Sequence, residues 1–118
     1  MSSIYLYGAN VHANGIRQHY LRFADSAETS RQPLVLIPGI TSPAITWRFV
    51  AERLGQHFDT YVLDVRGRGL SSTGPELDYD TDTCADDLIA FIDALGLSNV
   101  ILAGHSMGAR FALRAVSR

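Results

Sequence analysis

Cysteine is almost absent: Cys84 is the only one in 118 residues, so no disulfide can form within the chain. It falls in an apolar pattern at helical spacing, where a buried free thiol is the expected state. Long apolar runs are missing as well. None approaches the roughly 20 residues that a membrane-spanning helix needs. The opening Met1-Ser2-Ser3-Ile4-Tyr5 has no basic stretch leading into an apolar core, so it does not read as a secretory signal. The cytoplasm is the default compartment on these grounds. Basic runs are lacking too. The net charge is −2, the pI is near 6.0, and the arginines stand singly among acids, which excludes the electrostatic footprint of a nucleic-acid binder. His12, His19, His57 and His105 are scattered without metal-ligand spacing, and no repeat or low-complexity stretch occurs.

What is present fits one globular unit, with 47% apolar and 19% charged residues. Ile16 to Phe23 mixes polar and apolar residues as a half-solvated edge strand would, and Ile4 to Val11 is its possible hairpin partner through Asn14-Gly15. Asp25 to Gln32 is polar and reads as a surface turn. Pro33-Leu34-Val35-Leu36-Ile37 then starts a different pattern, a continuous apolar run suited to a strand covered on both faces. A helix is expected from Pro43 to Leu54 with Trp47, Val50 and Leu54 inward, then a second buried strand over Thr60 to Val65. The segment Thr81 to Leu95 aligns Cys84, Leu88, Phe91 or Ile92, and Leu95 on one stripe, with Asp82, Asp86 and Asp87 near its positive end and Gly96 as the stop. Asn99 to Ala103 is the third buried strand and Met107 to Val116 the next helix. This alternation predicts the α/β class, a mostly parallel sheet with right-handed crossovers and helices on both faces.

Reactive groups in such a sheet gather beyond the carboxyl ends of its strands. One end carries Gly104-His105-Ser106-Met107-Gly108, a G-x-S-x-G spacing between strand and helix, the context of a nucleophile elbow whose glycines let the backbone turn sharply. Ser106 is then the candidate nucleophile, and the Met107 N–H the leading oxyanion donor. A second end carries Pro38-Gly39-Ile40-Thr41-Ser42, where the Ile40 N–H is a candidate second donor; a plain strand-to-helix turn suits Pro-Gly equally. A third carries Asp64-Val65-Arg66-Gly67-Arg68-Gly69-Leu70-Ser71, whose Gly-x-Gly lacks the third glycine of a dinucleotide fingerprint. It reads instead as a charged loop in which Asp64 and an arginine brace one another. Neither a metal nor an organic cofactor is expected. His105 adjoins Ser106 but projects elsewhere, as a packing or hydrogen-bonding residue of the elbow. His12, His19 and His57 lie away from the serine, so none of the four histidines serves as its base.

Taken in order, "PGITS", "DVRGRGLSS" and "GHSMGA" resemble the first half of an α/β-hydrolase-fold enzyme. More narrowly, "NGIRQHYLRF", "PGITSPAITW", "FVAERLG", "FDTYVLDVRGRGLSS" and "GHSMGARFA" are similar to the N-formylmaleamate deformylases of aerobic nicotinate breakdown. The resemblance runs from about Asn10 to Ala115. Pro38 stands where many members have histidine, so Ile40 is placed by the turn rather than by an identical motif. The resemblance implies a serine hydrolase that opens an amide of a small molecule, with neither nucleic acid nor membrane as partner. An esterase or a carbon–carbon hydrolase is the alternative on the same scaffold, and an inactive fragment the alternative of another kind. The family order is nucleophile, acid, histidine, which implies that residues 1–118 form the N-terminal part of one domain, with acid, histidine, lid and later strands beyond Arg118. Strand Val100 to Ala103 would then be an unpaired edge in the isolated chain. A carboxylated substrate calls for a cation, and Arg110, one turn into the helix, either faces it or faces solvent.

Overall fold

The computed structural model describes residues 4–39, 43–74 and 76–117. Strands β1 (Tyr5–Ala13) and β2 (Ile16–Ala24) form a hairpin, followed by β3 (Pro33–Ile37), a 3₁₀ turn (Ala44–Trp47), α1 (Arg48–Leu54), β4 (Asp59–Leu63), α2 (Thr81–Ala94), β5 (Ile101–Gly104) and α3 (Met107–Val116). The hairpin closes on Asn14-Gly15, both at positive φ (55° and 77°), as a two-residue primed turn requires.

The sheet order is β1-β2-β4-β3-β5. β4, β3 and β5 run parallel, and the hairpin adds antiparallel pairing, with β2 antiparallel to both β1 and β4. The expected edge strand, β2, is therefore interior, and β1 takes the edge. Polar residues disguised it because each is satisfied where it is buried. Gln18, 1% exposed, donates from Nε2 to the Ala13 and Asp87 carbonyls. Arg22 grips Asp59 through Nε and Nη2 at 2.7 and 3.2 Å. At the other side β5 is only half-buried, as the edge next to β3.

Alternation along the strands divides the core in two. Leu34 and Leu36 point toward Phe23, Val62 and the α1 side with Ala44 and Ala51. Val35 and Ile37 point the other way, into Tyr20, Tyr61, Leu63, Leu88, Phe91 and Phe111 beneath α2 and α3. Phe91 meets Tyr20 edge-on at 5.3 Å. Fully burying one such side chain contributes about 1.5–3 kcal/mol.

Helix α2 starts where Asp80 accepts the Thr83 N–H at 2.7 Å and stops at Gly96 (φ 67°). There the Gly96 and Leu97 N–H groups donate back to Asp93 and Ile92, a Schellman closure. Val50 is exposed, contrary to its expected inward place, because α1 turns Trp47, Ala51 and Leu54 to the core. The four residues of 3₁₀ turn before it set that phase. Asp87 also departs from expectation. It is buried, paired with Arg66, and not a solvated carboxylate at the helix start.

Candidate active site

β3, β4 and β5 end on the same side of the sheet, with Ile37 opposite Gly104. From there the chain turns through His105 and Ser106 into α3. Ser106 has φ 56° and ψ −118°, a conformation that an L residue adopts only under constraint, and its side chain makes no capping bond to the helix. Ser106 is exposed. Three backbone bonds fix the geometry: His105 N–H to the Ile37 carbonyl (3.0 Å), Gly108 N–H to His105 (2.9 Å), and Ala109 N–H to Ser106 (3.0 Å).

The two flanking glycines act differently from the sequence-based expectation. Neither has positive φ; the serine itself carries it. What they supply is room. A Cβ on Gly104 would stand 2.6 Å from the Ala109 backbone, and one on Gly108 would overlap the Ile37 carbonyl oxygen. Close packing of α3 on β5 and β3 therefore needs both glycines.

Met107 opens α3, so its N–H is one of the four that a helix leaves without an intrahelical partner. The turn after β3 lies beside it: a Cβ on Gly39 would stand 3.4 Å from Ser106 Cβ and 3.4 Å from His105 Nδ1. Ile40, the expected second donor, lies outside the described residues. His105 packs its ring against Trp47 at 5.1 Å, the elbow packing role anticipated for it. Arg110 is exposed on the first turn of α3 and donates to Met107 Sδ at 3.4 Å.

Asp64, just after β4, is held by His19 and by backbone N–H groups. His19 Nδ1 meets its Oδ2 at 2.8 Å, while Ala44 N–H donates to Oδ1 at 2.6 Å. Arg66 turns away to Asp87, with Nε to Oδ2 at 2.6 Å and Nη2 to Oδ1 at 2.8 Å. His19 thus stands at the same end of the sheet as Ser106. Three strand spacings separate β2 from β5, roughly 14 Å, so it is not within reach of the serine hydroxyl. A cleft of about 430 Å³ opens over this pair, lined by His19, Leu21, Pro43, Ile45, Asp64, Gly69 and Leu70. Among the described residues no three His, Cys, Asp or Glu side chains gather to hold a metal ion, and no helix is long and apolar enough to cross a membrane.

The sequence model of the α/β hydrolase fold matches residues 32–118. The chain belongs to the α/β-hydrolase fold family. This α/β hydrolase is 66% identical over 116 residues to N-formylmaleamate deformylase of Pseudomonas putida, a match covering 98% of the chain and 42% of that relative. It is 38% identical over 92 residues to 2-(acetamidomethylene)succinate hydrolase of Mesorhizobium japonicum, covering 77% of the chain and 33% of that protein. The crystal structure of an N-formylmaleamic acid deformylase from Pseudomonas putida superposes with a TM-score of 0.85 at 55% identity, over 93% of this chain and 41% of that one. The chain thus spans less than half the length of the relatives it matches.

Proposed function

We propose that this chain is the N-terminal part of a single α/β-hydrolase domain whose Ser106 opens the N-formyl amide of N-formylmaleamate in cytoplasmic nicotinate degradation. The observation that carries the chemistry is the constrained backbone of the exposed Ser106 at the β5–α3 junction, immediately before the first helical residue. The substrate follows from the 66% identity to the deformylase. Both deformylase and acetamidomethylenesuccinate hydrolase are named for carboxylated N-acyl compounds, which favours an amide over an ester.

In this reading Ser106 Oγ attacks the formyl carbon as its proton passes to a histidine supplied, with an orienting acid, from beyond residue 118. The tetrahedral oxyanion is held by the Met107 and Ile40 N–H groups. Collapse breaks the C–N bond, the histidine returns the proton to nitrogen, and maleamate leaves. Water then hydrolyses the formyl ester on Ser106, releasing formate and restoring the hydroxyl. Arg110 is the cation offered to the substrate carboxylate, and no metal or cofactor enters. Formate release from N-formylmaleamate by the full-length protein, abolished in Ser106→Ala, is the expected result. Hydrolysis of aryl esters or diketones without formate release would replace this reading by an esterase or carbon–carbon hydrolase.

A further inference from the structure

We propose that Asp64, held by His19, is a positioning residue for the oxyanion turn. The proposal rests on the reading of Ser106 and that turn given above. The Asp64 side chain is 4% exposed, and three separate elements donate to its carboxylate. Ala44, the first residue of the 3₁₀ turn, gives its N–H to Oδ1 at 2.6 Å. His19 of β2 meets Oδ2 at 2.8 Å, and the Leu70 N–H reaches the same oxygen at 3.2 Å. A carboxylate that takes backbone N–H groups on both oxygens acts as an acceptor throughout, so His19 Nδ1 carries the hydrogen.

The surroundings are built for this bond set. His19 donates its own N–H to Ser71 Oγ at 2.8 Å and accepts the Asp64 N–H at 2.9 Å, while Ser71 Oγ donates to the Asp64 carbonyl. Gly69 has φ 51°, and a Cβ there would overlap the Asp64 carboxylate. The Gly-x-Gly, which lacks the third glycine of a dinucleotide fingerprint, thus has a use of its own: it lets the loop close over Asp64.

The chain enters the oxyanion turn at Gly39, against Ser106, and leaves it at Ala44, on Asp64. Holding Ala44 therefore fixes one end of the segment whose other end faces the nucleophile. A misplacement of about 1 Å in such a site costs on the order of 10²-fold in rate.

Asp64→Asn in the full-length protein tests the proposal, because the isosteric amide turns an N–H toward groups that also donate. The expected result is a kcat lower by about 10- to 100-fold with KM within about two-fold, the pattern of an interaction made in the transition state. Affinity for methylboronic acid, which forms a tetrahedral adduct on the serine, should fall by the same factor as kcat/KM. His19→Leu should repeat the loss and His19→Asn, whose Nδ2 can replace Nδ1, should restore activity; this pair decides the matter if Asp64→Asn fails to fold. Asp59→Asn, which breaks the Arg22 pair at the far end of β4, is the control, expected to lower Tm without moving kcat or boronate affinity. Unchanged boronate affinity in Asp64→Asn or in His19→Leu, with Tm lowered as in the control, would reduce Asp64 to a structural brace and overturn the proposal. Fluorophosphonate labelling that survives Ser106→Ala would instead sink the underlying reading of the site, and the proposal with it.

Discussion

Removing Asp87 should unfold the protein far more easily than any surface change. Its carboxylate is 4% exposed and the Arg66 guanidinium 5%, joined by two short bonds, and Oδ1 also accepts Asn14 Nδ2 at 2.8 Å. Asp87→Ala leaves the arginine buried without its counter-charge, a loss of about 3–5 kcal/mol. The remaining partners add little. Asn14 is exposed and turns to water, and the Gln18 bond goes to the Asp87 backbone carbonyl, which the substitution keeps. In urea, with a slope of about 2 kcal/mol/M, a loss near 4 kcal/mol moves the midpoint down by about 2 M. Arg66→Met combined with Asp87→Leu should recover most of that loss, since replacing both partners by apolar groups removes the uncompensated charge. Equilibrium urea unfolding of the full-length protein and the two variants, followed by circular dichroism at pH 7, measures both quantities. A midpoint shift in Asp87→Ala below about 0.5 M, equivalent to about 1 kcal/mol at that slope, would refute the reasoning. So would a double variant no more stable than Asp87→Ala.

Further outcomes are expected. Gly108→Ala has no room beside the Ile37 carbonyl, so α3 must shift; fluorophosphonate labelling of Ser106 should slow sharply in the full-length variant, and an unchanged rate would contradict the packing account of the elbow. Burial, with the Asp87 charge second, pushes the Cys84 thiol up to about 11. At pH 8 it should react slowly with a disulfide reagent until urea exposes it, and rapid native labelling would show that the thiol is not enclosed. The Thr83 hydrogen bonds hold Asp80 below its ordinary value of 3.8. A depressed carboxyl stabilises the fold above the unfolded value and loses that effect as pH falls through the folded one. The Tm gap between wild type and Asp80→Ala should therefore be widest near neutrality and close in acid, and a gap independent of pH would argue against the cap. Finally, the 118-residue chain expressed alone should not turn over N-formylmaleamate; turnover at the full-length rate would mean that histidine and acid need not come from beyond residue 118.

The elements that declare themselves in the sequence are those with one unmixed signal. Val35 to Ile37 and Tyr61 to Leu63 are apolar without interruption, Cys84, Leu88 and Phe91 repeat at helical spacing, and Asn14-Gly15 and Gly96 mark their turns by conformations that other residues avoid. The elbow is legible for the same reason, as a glycine-flanked serine between a strand and a helix. What hides is polarity that is satisfied at a distance. Gln18, His19 and Arg22 make β2 look solvated, yet their partners lie in α2, after β4 and at the start of β4. Asp87 looks like a dipole-compensating carboxylate until Arg66, 21 residues earlier, is brought against it. The His19 partner of Asp64, 45 residues away in β2, is likewise invisible in the loop's own sequence. What differed was the place of β2, inside the sheet rather than at its edge.

With Ser106 as the proposed nucleophile, its backbone sets stability and turnover against each other. Holding a serine at φ 56° and ψ −118° costs on the order of 1–3 kcal/mol, whereas glycine adopts such angles freely at an entropic cost of about 0.5–1 kcal/mol. A library of the full-length protein ranked by heat resistance should therefore drift toward glycine at 106 and lose the proposed chemistry, while one ranked by the proposed formate release keeps the serine and accepts the lower melting point.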